Sequence, residues 1–457
     1  MFGSIINVLK KNRIHLPAGL GLLMARIPYS WRPIVGKEYK RRLKQIHLFE
    51  QLSIDEKKES VFRQVYEIVA YSIDNIAFYR EFYAKKGFSI DQLKSYDDLD
   101  KIPVVTKDDL IACDVSERSN LSLDKILVNT GGSTGKTLSF YIEPNAIGHE
   151  AAHALTMWQE LGYKNSSLRL IVAGRSHVRN GVDYEFARNC YSLDMYQPYA
   201  DNKNRLIKLL NRHGAEYLQG YPSALASFSD FCQENTDLLE AIRRRLKGVI
   251  LNSEFPYPIY RDKIEAVFNV PTQAFYGHTE RCIMAYEKKG CKNVYYPFQT
   301  YGFTEVLKRE DGHYDLLGTC FFNHASPLIR YNTGDIVDAP LFENGLLKSF
   351  EIVEGRSGQF IVDKDGNKIS LTGLIMGRHH HLFDFCEHIQ IMQNAPGRAT
   401  ILYVLKDNIT IDSPAELFDS SGVSITFDFL RIQSPILTKS GKVNLLVKDL
   451  PQTLNTL

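Results

Sequence analysis

The sequence predicts an α/β protein with a large N-terminal region, built of parallel β/α sheets and a small antiparallel β region, followed by a small mobile α+β C-terminal domain. Between residues 215 and 276, apolar strand patterns alternate with helical patterns, which is typical of a parallel sheet. After residue 290, alternating residues on both sides of Asp311-Gly312 predict an antiparallel hairpin. The 457 residues exceed one typical core, so we expect domains over residues 1–354 and 355–457.

The composition places the chain among ordinary soluble globular proteins, with 44% hydrophobic and 24% charged residues. A net charge of +2 gives no argument for a nucleic-acid partner. The seven cysteines are scattered and odd in number, so they indicate no disulfide framework. We therefore expect a cytoplasmic protein.

Residues 1–50 are predicted to form a helical N-terminal extension. Their apolar stretch at residues 14–25 is interrupted by Pro17 and Gly19 and is too short to span a bilayer. It also lacks the order of a signal peptide. Basic residues follow between Lys37 and Lys44, so peripheral contact with a membrane surface is an alternative, but a helical cap on the first domain is favoured.

Helical and strand patterns follow one another along the rest of the chain. Apolar positions at helical spacing mark residues 54–86, and Thr106 is a candidate cap for the next short helix. Further helices are predicted at residues 145–161, 201–213, 223–233 and 256–268. Strands are predicted at residues 126–128, 138–142, 168–173, 215–219, 248–251 and 272–276.

Three turn-forming or polar segments follow the last three of these strands. They are residues 220–223, 252–254 and 277–280. Because the carboxyl ends of parallel strands meet at one edge of a sheet, and ligands of open α/β sheets bind there, these segments are expected to line one site.

The stretch from Thr130 to Thr137 holds three glycines, several hydroxyl side chains and Lys136 between two predicted strands. Backbone N–H groups of such a turn can point outward together and attract phosphate, and the lysine adds charge. The pattern is not that of P-loop NTPases, which have a glycine at the position of Thr130 and a helix directly after the lysine. The alternative interpretation is an ordinary glycine-rich hairpin.

Five segments in chain order resemble adenylate-forming enzymes, the superfamily of acyl-CoA synthetases and adenylation domains. They are the glycine-rich stretch, residues 276–280, Asp335 in its Arg-Tyr-Asn-Thr-Gly-Asp setting, Gly355-Arg356, and residues 438–442. Residues 220–223 and 252–254 and the short C-terminal part resemble the phenylacetate–CoA ligase branch, within it the capsular-polysaccharide-biosynthesis group. The resemblance covers roughly residues 55–445.

The resemblance implies an ATP site. The residues of the glycine-rich stretch would hold the β- and γ-phosphates: Thr130, Gly131, Gly132, Ser133, Thr134, Gly135 and Lys136. Glu280 would bind Mg²⁺ and Thr279 the α-phosphate. Tyr276 would stack on adenine, and Asp335 would accept hydrogen bonds from the ribose hydroxyls.

The same resemblance implies that Arg356 lies at the domain hinge near the ribose, and that Lys442 places a cation on the α-phosphate and the attacking carboxylate. Ser253, Glu254 and Gly277 complete the expected nucleotide-binding set. His278 stands where the family commonly has an apolar or small residue. Taken singly, Glu280, Asp335 and Lys442 are better explained as surface or turn residues, and it is their order along the chain that favours the functional assignment.

The implied function is ATP-dependent activation of a carboxylic acid as an acyl-adenylate, with release of pyrophosphate. The acyl group would pass to CoA, or to an amine or hydroxyl acceptor such as a sugar, in polysaccharide biosynthesis. The alternative is a catalytically inactive nucleotide-binding scaffold of a polysaccharide-assembly system. ATP and Mg²⁺ are the expected cofactors, with CoA as a further candidate.

Two groups of side chains have alternative interpretations as metal sites. Cys282, Cys291, Cys320 and His324 match no familiar zinc spacing, so buried cysteines without a metal are favoured. The histidines at 379–381 are predicted to form a solvated helix end.

Overall fold

The structure is a computed structural model. It describes residues 18–32, 35–130, 138–173, 178, 181–195, 197–352, 360–371, 374–375, 378, 380–406, 409–436 and 445–447. The boundary that we predict between the two domains, at residues 354 and 355, lies outside the described residues.

The α-helices of the described residues all precede the antiparallel strands of the second half of the chain. They are α1 (Ala18–Met24), α2 (Gly36–Gln51), α3 (Ile54–Asn75), α4 (Ala77–Lys85), α5 (Lys107–Ile111), α6 (Ala146–Trp158), α7 (Tyr199–His213), α8 (Pro222–Glu234), α9 (Thr236–Arg243) and α10 (Pro258–Phe268). Among the described residues, no helix has both the length and the apolar character needed to cross a membrane.

The strands of the first half of the chain are interspersed with helices along the sequence. They are β1 (Ile126–Asn129), β2 (Ser139–Ile142), β3 (Arg169–Ala173), β4 (Val182–Glu185), β5 (Cys190–Asp194), β6 (Tyr217–Gly220), β7 (Gly248–Leu251) and β8 (Thr272–Gly277).

The strands of the second half follow one another without a helix of comparable length. They are β9 (Met284–Glu287), β10 (Val294–Pro297), β11 (Gly302–Lys308), β12 (Tyr314–Cys320), β13 (Tyr331–Glu343), β14 (Leu346–Ile352), β15 (Phe360–Val362), β16 (Lys368–Ser370), β17 (Cys386–Ala395), β18 (Arg398–Leu405), β19 (Thr426–Arg431) and β20 (Leu446–Val447).

A twelve-stranded mixed sheet organises residues 169–352. Its order is β11-β12-β13-β14-β10-β9-β8-β7-β6-β3-β5-β4. The five strands from β8 to β5 run parallel, and the strands beyond them on both sides are antiparallel to their neighbours. The predicted fold class, with a parallel sheet and an antiparallel region, is confirmed. The β11–β12 hairpin turns around Asp311-Gly312 as predicted.

Local signals explain where the helices begin and end. Ser53 and Thr106 begin α3 and α5 with capping boxes, and Gly162 ends the helical segment after α6 in a left-handed conformation. The helix predicted over residues 54–86 is in fact two helices, because buried Ile76 is extended and separates α3 from α4. Its periodic pattern spans both helices, since the two bury apolar residues in the same core.

The hairpin of β4 and β5 was not predicted. All five residues of β5 are buried, and β5 adds to the sheet beside β3. Asn189, which has φ of 47°, makes the tight connection to β4. An asparagine tolerates this left-handed conformation better than most residues, so Asn189 was the residue in the sequence that could have indicated the turn.

The C-terminal residues form a separate four-stranded sheet, ordered β19-β18-β17-β20, with its own apolar core between Ile361 and Leu445. His380 lies in this core. Its Nε2 donates to the carbonyl oxygen of Leu374, its Nδ1 accepts from the backbone of Asp419, and its ring stacks on Phe418. The prediction of a solvated helix end is therefore wrong for His380, because both ring nitrogens have partners that compensate burial.

Candidate active site

The candidate site lies at the carboxyl edge of the parallel strands. The register pairs Gly220 with Leu251 and Leu251 with Ala274, so the loops that follow β6, β7 and β8 lie side by side. The backbone N–H of Asn252 donates to the carbonyl oxygen of Gly220 at 3.2 Å, which joins the first two loops directly. The predicted neighbourhood of the three segments is confirmed.

Glu280 is the carboxylate of the third loop, and 12% of its side chain is exposed. His278 approaches its Oε2 through Nδ1 at 3.2 Å, and the hydroxyl of Tyr331 donates to its Oε1 at 3.4 Å. Burial works to raise the pKa of Glu280, but the hydrogen bond and charge of His278, together with Lys107, outweigh it and lower the pKa to about 2. Glu280 is therefore ionised at neutral pH, as a ligand for Mg²⁺ must be.

Asp335 and Tyr276 meet although they are 59 residues apart in the chain. The Tyr276 hydroxyl donates to Oδ2 of Asp335 at 2.6 Å. The ring of Tyr276 also lies edge-on to Phe350, with centroids 6.2 Å apart. Two residues that we expect to contact the same nucleoside thus lie within one hydrogen bond of each other.

The remaining predicted residues of the loops have mixed surroundings. Thr279 is half-buried beside Glu280, whereas Gly277 is exposed. Ser253 has φ of 67°, a strained conformation for a residue with a side chain. Glu254 is buried, and its Oε2 accepts from the backbone N–H of Ser223 at 3.2 Å, so it binds the N-terminus of α8.

Thr130 closes the hairpin that carries the glycine-rich stretch. Its Oγ1 accepts from the N–H of Leu138 at 2.9 Å, and its own N–H donates to the carbonyl oxygen of Leu138 at 2.9 Å. β1 and β2 pair as predicted on both sides. The other predicted residues of this stretch, from Gly131 to Lys136, lie outside the described residues, as do Arg356 and Lys442.

Arg330 is a buried residue that anchors the backbone of the site, a role that the sequence did not predict. It is buried and binds Glu305 with two nitrogens at 2.8 and 3.0 Å, and it donates to the carbonyl oxygen of Ile102 at 2.6 Å. Such a bidentate pair fixes both position and orientation. It anchors the backbone next to Tyr331, the residue that contacts Glu280.

A polar cluster on the α6 side of Glu280 was also missed. Arg281 Nε lies 3.6 Å from Oε2 of Glu150, and the Tyr301 hydroxyl donates to the same oxygen at 3.0 Å. His149 stacks on Tyr301 and donates from Nε2 to its carbonyl oxygen at 3.2 Å. Arg281 directly follows Glu280, and this adjacency was the only signal in the sequence.

Two atoms of this cluster lack partners. Nη1 of Arg281 and Nδ1 of His149 are buried, and no atom of the described residues hydrogen-bonds to them. Burial, followed by the charges of neighbouring cationic groups, holds the pKa of His149 well below its ordinary value, so the ring is neutral. Since Nε2 carries the proton, Nδ1 is an acceptor, and the cluster offers one unmatched donor and one unmatched acceptor.

Of the cysteines considered as zinc ligands, Cys282 and Cys320 lie within hydrogen-bond distance of each other. Cys282 and Cys320 are buried, and Cys291 is half-buried. In the part of the chain that the structure describes, no three His, Cys, Asp or Glu side chains lie close enough together to hold a metal ion.

Comparisons with known proteins agree with this architecture. No protein-family model matches the chain. Protein CapK of Staphylococcus aureus is 24% identical over 443 residues, covering 91% of this chain and 96% of that protein.

Solved structures of 2-hydroxyisobutyryl-CoA ligase resemble the fold over most of the chain. The complex with 2-HIB-AMP and CoA in the thioesterification state has a TM-score of 0.56 and 16% identity, and covers 87% of this chain and 91% of the ligase. The complex with 2-HIB-AMP in the postadenylation state has a TM-score of 0.53 and 15% identity, and covers 87% and 90%. This chain therefore has the fold of the adenylate-forming ligases, the superfamily that its sequence motifs resemble.

Proposed function

We propose that the protein activates a carboxylic acid with ATP, forming an acyl-adenylate and pyrophosphate, and then transfers the acyl group to an acceptor. The observation that carries this proposal is the placement of two carboxylates, Glu280 and Asp335, at the carboxyl edge of the parallel strands. Tyr331 and Tyr276 hold them there through their hydroxyl groups. The fold shared with a CoA ligase whose structures contain 2-HIB-AMP supports the same class of reaction.

In the first step, a carboxylate oxygen of the acid bonds to the α-phosphorus of ATP. The bond from that phosphorus to the bridging oxygen breaks, and pyrophosphate leaves with the electron pair. Because negative charge builds up at phosphorus, catalysis depends on positioning and electrostatic stabilisation. We assign these roles to the N–H groups and Lys136 of the glycine-rich stretch, to Thr279 and to Lys442.

Glu280 fits a magnesium ion that is shared with the substrate phosphates. It is ionised, and its Oε1 accepts a long hydrogen bond from Tyr331. Mg²⁺ commonly takes one or two carboxylates and completes its shell with phosphates and water. When bound, the ion would offset phosphate charge, while His278 and Tyr331 keep the carboxylate oriented.

Asp335 and Tyr276 are assigned to the nucleoside. A carboxylate can accept hydrogen bonds from two neighbouring ribose hydroxyls, and Asp335 has one oxygen outside its contact with Tyr276. Tyr276 would offer its ring to adenine while its hydroxyl orients Asp335. The short bond between them makes both roles depend on one local geometry.

The second step transfers the acyl group to CoA, or to an amine or hydroxyl acceptor. The 2-hydroxyisobutyryl-CoA ligase complex that contains CoA supports the first acceptor. The motif resemblance to the capsular-polysaccharide group supports a role in polysaccharide biosynthesis, and we assign the reaction to the cytoplasm. Attack by the thiolate, amine or hydroxyl on the acyl carbon releases AMP in each case.

ATP–pyrophosphate exchange with a panel of carboxylic acids tests the proposal. We expect exchange that requires one acid and Mg²⁺ and that is lost in Glu280→Gln. Asp338→Ala is a matched control, since Asp338 lies in the same β13 strand as Asp335 and pairs with His313 at the surface. ATP binding without exchange for any acid would instead indicate the inactive scaffold.

A further inference from the structure

Helix α1 has one face on the protein body and one in solvent. Gly21 packs on Tyr184, so closely that a Cβ at this position would lie 2.3 Å from the ring, and Ala25 is buried. On the outer side, 47% of Leu20 and 60% of Leu23 are exposed. The inner face therefore caps the body as predicted, but the outer face is apolar and uncovered by the described residues.

The exposed apolar surface continues beyond the helix. Met24, Ile27 and Trp31 are exposed, and 77% of Trp31 is accessible. The described residues hold thirteen exposed large apolar side chains, and five of them lie within residues 20–31. Since scattered exposed apolar residues are normal but clusters mark interaction sites, this cluster indicates a partner.

Helix α2 carries a basic stripe next to this surface. Its buried residues recur at Gly36, Tyr39, Arg42, Ile46 and Phe49. Its exposed residues recur at the same helical spacing on the opposite face. They are basic over the first three turns, at Lys37, Lys40, Arg41, Lys44 and His47, and are followed by Leu48, Glu50 and Gln51. The described residues form no ion pair with Lys37, Lys40 or Lys44.

The turn that carries Trp31 packs against the start of α2, so the apolar cluster and the basic stripe lie on neighbouring elements. Tyr29, in the turn that carries Trp31, packs on Tyr39 of α2 with ring centroids 4.8 Å apart. A Cβ on Gly36 would lie 2.4 Å from the carbonyl oxygen of Ser30, so the turn lies directly on the start of the helix. We define the outer residues of 20–31 and the α2 stripe as the N-terminal surface.

The charge of the chain is concentrated in this region. Residues 1–44 contain ten lysines and arginines and one acid, Glu38. The other 413 residues contain 45 lysines and arginines against 52 acids, although the whole chain is almost neutral. A net charge of +9 beside a net charge of −7 is an asymmetry that the overall value of +2 conceals, and it favours an anionic partner at the N-terminal surface.

We propose that the N-terminal surface binds peripherally to a membrane with anionic headgroups. Exposed leucines and a tryptophan beside lysines bind favourably at a lipid interface. Aliphatic groups enter the acyl boundary, tryptophan stays at headgroup level, and the cations contact the phosphates. Nucleic acid would engage the lysines but leave the apolar cluster in water. The acyl-transfer site would thereby work next to a membrane, whichever acid it uses.

Vesicle co-sedimentation of the full chain tests the proposal. We expect binding to phosphatidylglycerol–phosphatidylcholine vesicles, no binding to pure phosphatidylcholine, and weakening by salt. Lys37→Gln with Lys40→Gln should lower partitioning about 25-fold, since each cation contributes roughly 1 kcal/mol. Leu23→Ser with Trp31→Ser should abolish it, whereas the matched exposed pair Leu341→Ser with Phe342→Ser should bind like the unsubstituted protein.

Fluorescence provides a second readout, because the chain has two tryptophans and Trp158 is buried. A blue shift on adding anionic vesicles, absent in Trp31→Ser, locates the contact at Trp31. Absence of binding, equal binding to neutral vesicles, or binding to nucleic acid in place of vesicles would overturn the proposal. A dimer that forms without lipid and is abolished in the Leu23→Ser, Trp31→Ser variant would also overturn it. So would vesicle binding that persists in this variant and is lost only when residues 1–17 are removed.

Discussion

The two sides of Glu280 differ in how completely their polar groups are paired. Toward β13, Tyr331 donates to Glu280 and Tyr276 donates to Asp335. Toward α6, Arg281 Nη1 and His149 Nδ1 are buried without a hydrogen-bond partner among the described residues. A buried polar atom without a partner costs about 1–3 kcal/mol, so the α6 side is an arrangement that a bound polar group would stabilise.

We assign the two sides to different ligands: the β13 side to ATP and the α6 side to the carboxylic acid. ATP is common to all reactions of the proposed class, and a preorganised side suits a constant ligand. The acid varies, and unmatched donors and acceptors give specificity because a ligand that lacks the matching group leaves them unpaired. We therefore expect variants on the β13 side to change ATP use, and variants on the α6 side to change acid use.

Asp335→Ala should produce the largest effect. Each hydrogen bond to a charged acceptor is worth roughly 1.5–3 kcal/mol, so loss of two ribose contacts should raise the ATP requirement by about two to four decades. The requirement for acid should remain unchanged. ATP titrations of exchange activity measure the effect, with Asp338→Ala as the control on the same strand. An unchanged ATP titration would contradict the ribose assignment.

Lys442→Ala should follow in size. If this lysine opposes charge that develops at phosphorus, its removal should depress turnover by about 3–4 kcal/mol, or two to three decades, with little change in ATP binding. Supplied acyl-adenylate should still react with the acceptor, because that step forms no charge at phosphorus. Lys439→Ala is the matched control from the same segment. Full exchange activity in Lys442→Ala would make Lys442 an ordinary surface lysine.

Acidification tests the electrostatic state of Glu280 independently of activity. Its pKa falls from an ordinary 4.5 to about 2 in the folded protein. The group therefore stabilises the fold above about pH 4.5, and this contribution is lost as the pH falls toward 2, up to about 3 kcal/mol in total. Denaturant unfolding between pH 6 and 3 should show a weaker acid dependence in Glu280→Gln than in the unsubstituted protein. Glu343→Gln, at an exposed carboxylate paired with Lys348, should leave the dependence unchanged.

The sequence was sufficient for the parts of the fold that depend on local patterns. Strand and helix periodicity predicted β6, α8, β7, α10 and β8 almost to the residue, because each buries one face in the same core. It did not predict β4 and β5, which are short and joined by a single tight turn at Asn189.

The motifs supplied residues of the site, but not the contacts between them. Tyr276 and Asp335 were both named from their motifs, yet three strands separate β8 from β13 in the sheet order, so strand register does not predict their hydrogen bond. Glu150 meets Arg281 from 131 positions earlier in the chain, and no local pattern links the two. Contacts of this kind depend on tertiary packing between elements that are distant in the chain.

Arg281→Met should have the smallest effect on the reaction and the most selective one. Methionine keeps much of the side-chain volume but removes the Nη1 donor and the charge next to Glu150. If the acid supplies the missing partner, the KM for that acid should rise about tenfold to a hundredfold, while the KM for ATP stays the same. Acids that lack a polar group should be activated equally well by both proteins. Arg309→Met is the matched control, since Arg309 is a surface arginine that pairs with Asp311 and Asp315. An equal rise in the KM for the acid and the KM for ATP would show that Arg281 acts only by holding Glu280 in place. The assignment of the β13 side to ATP and the α6 side to the acid would then be wrong.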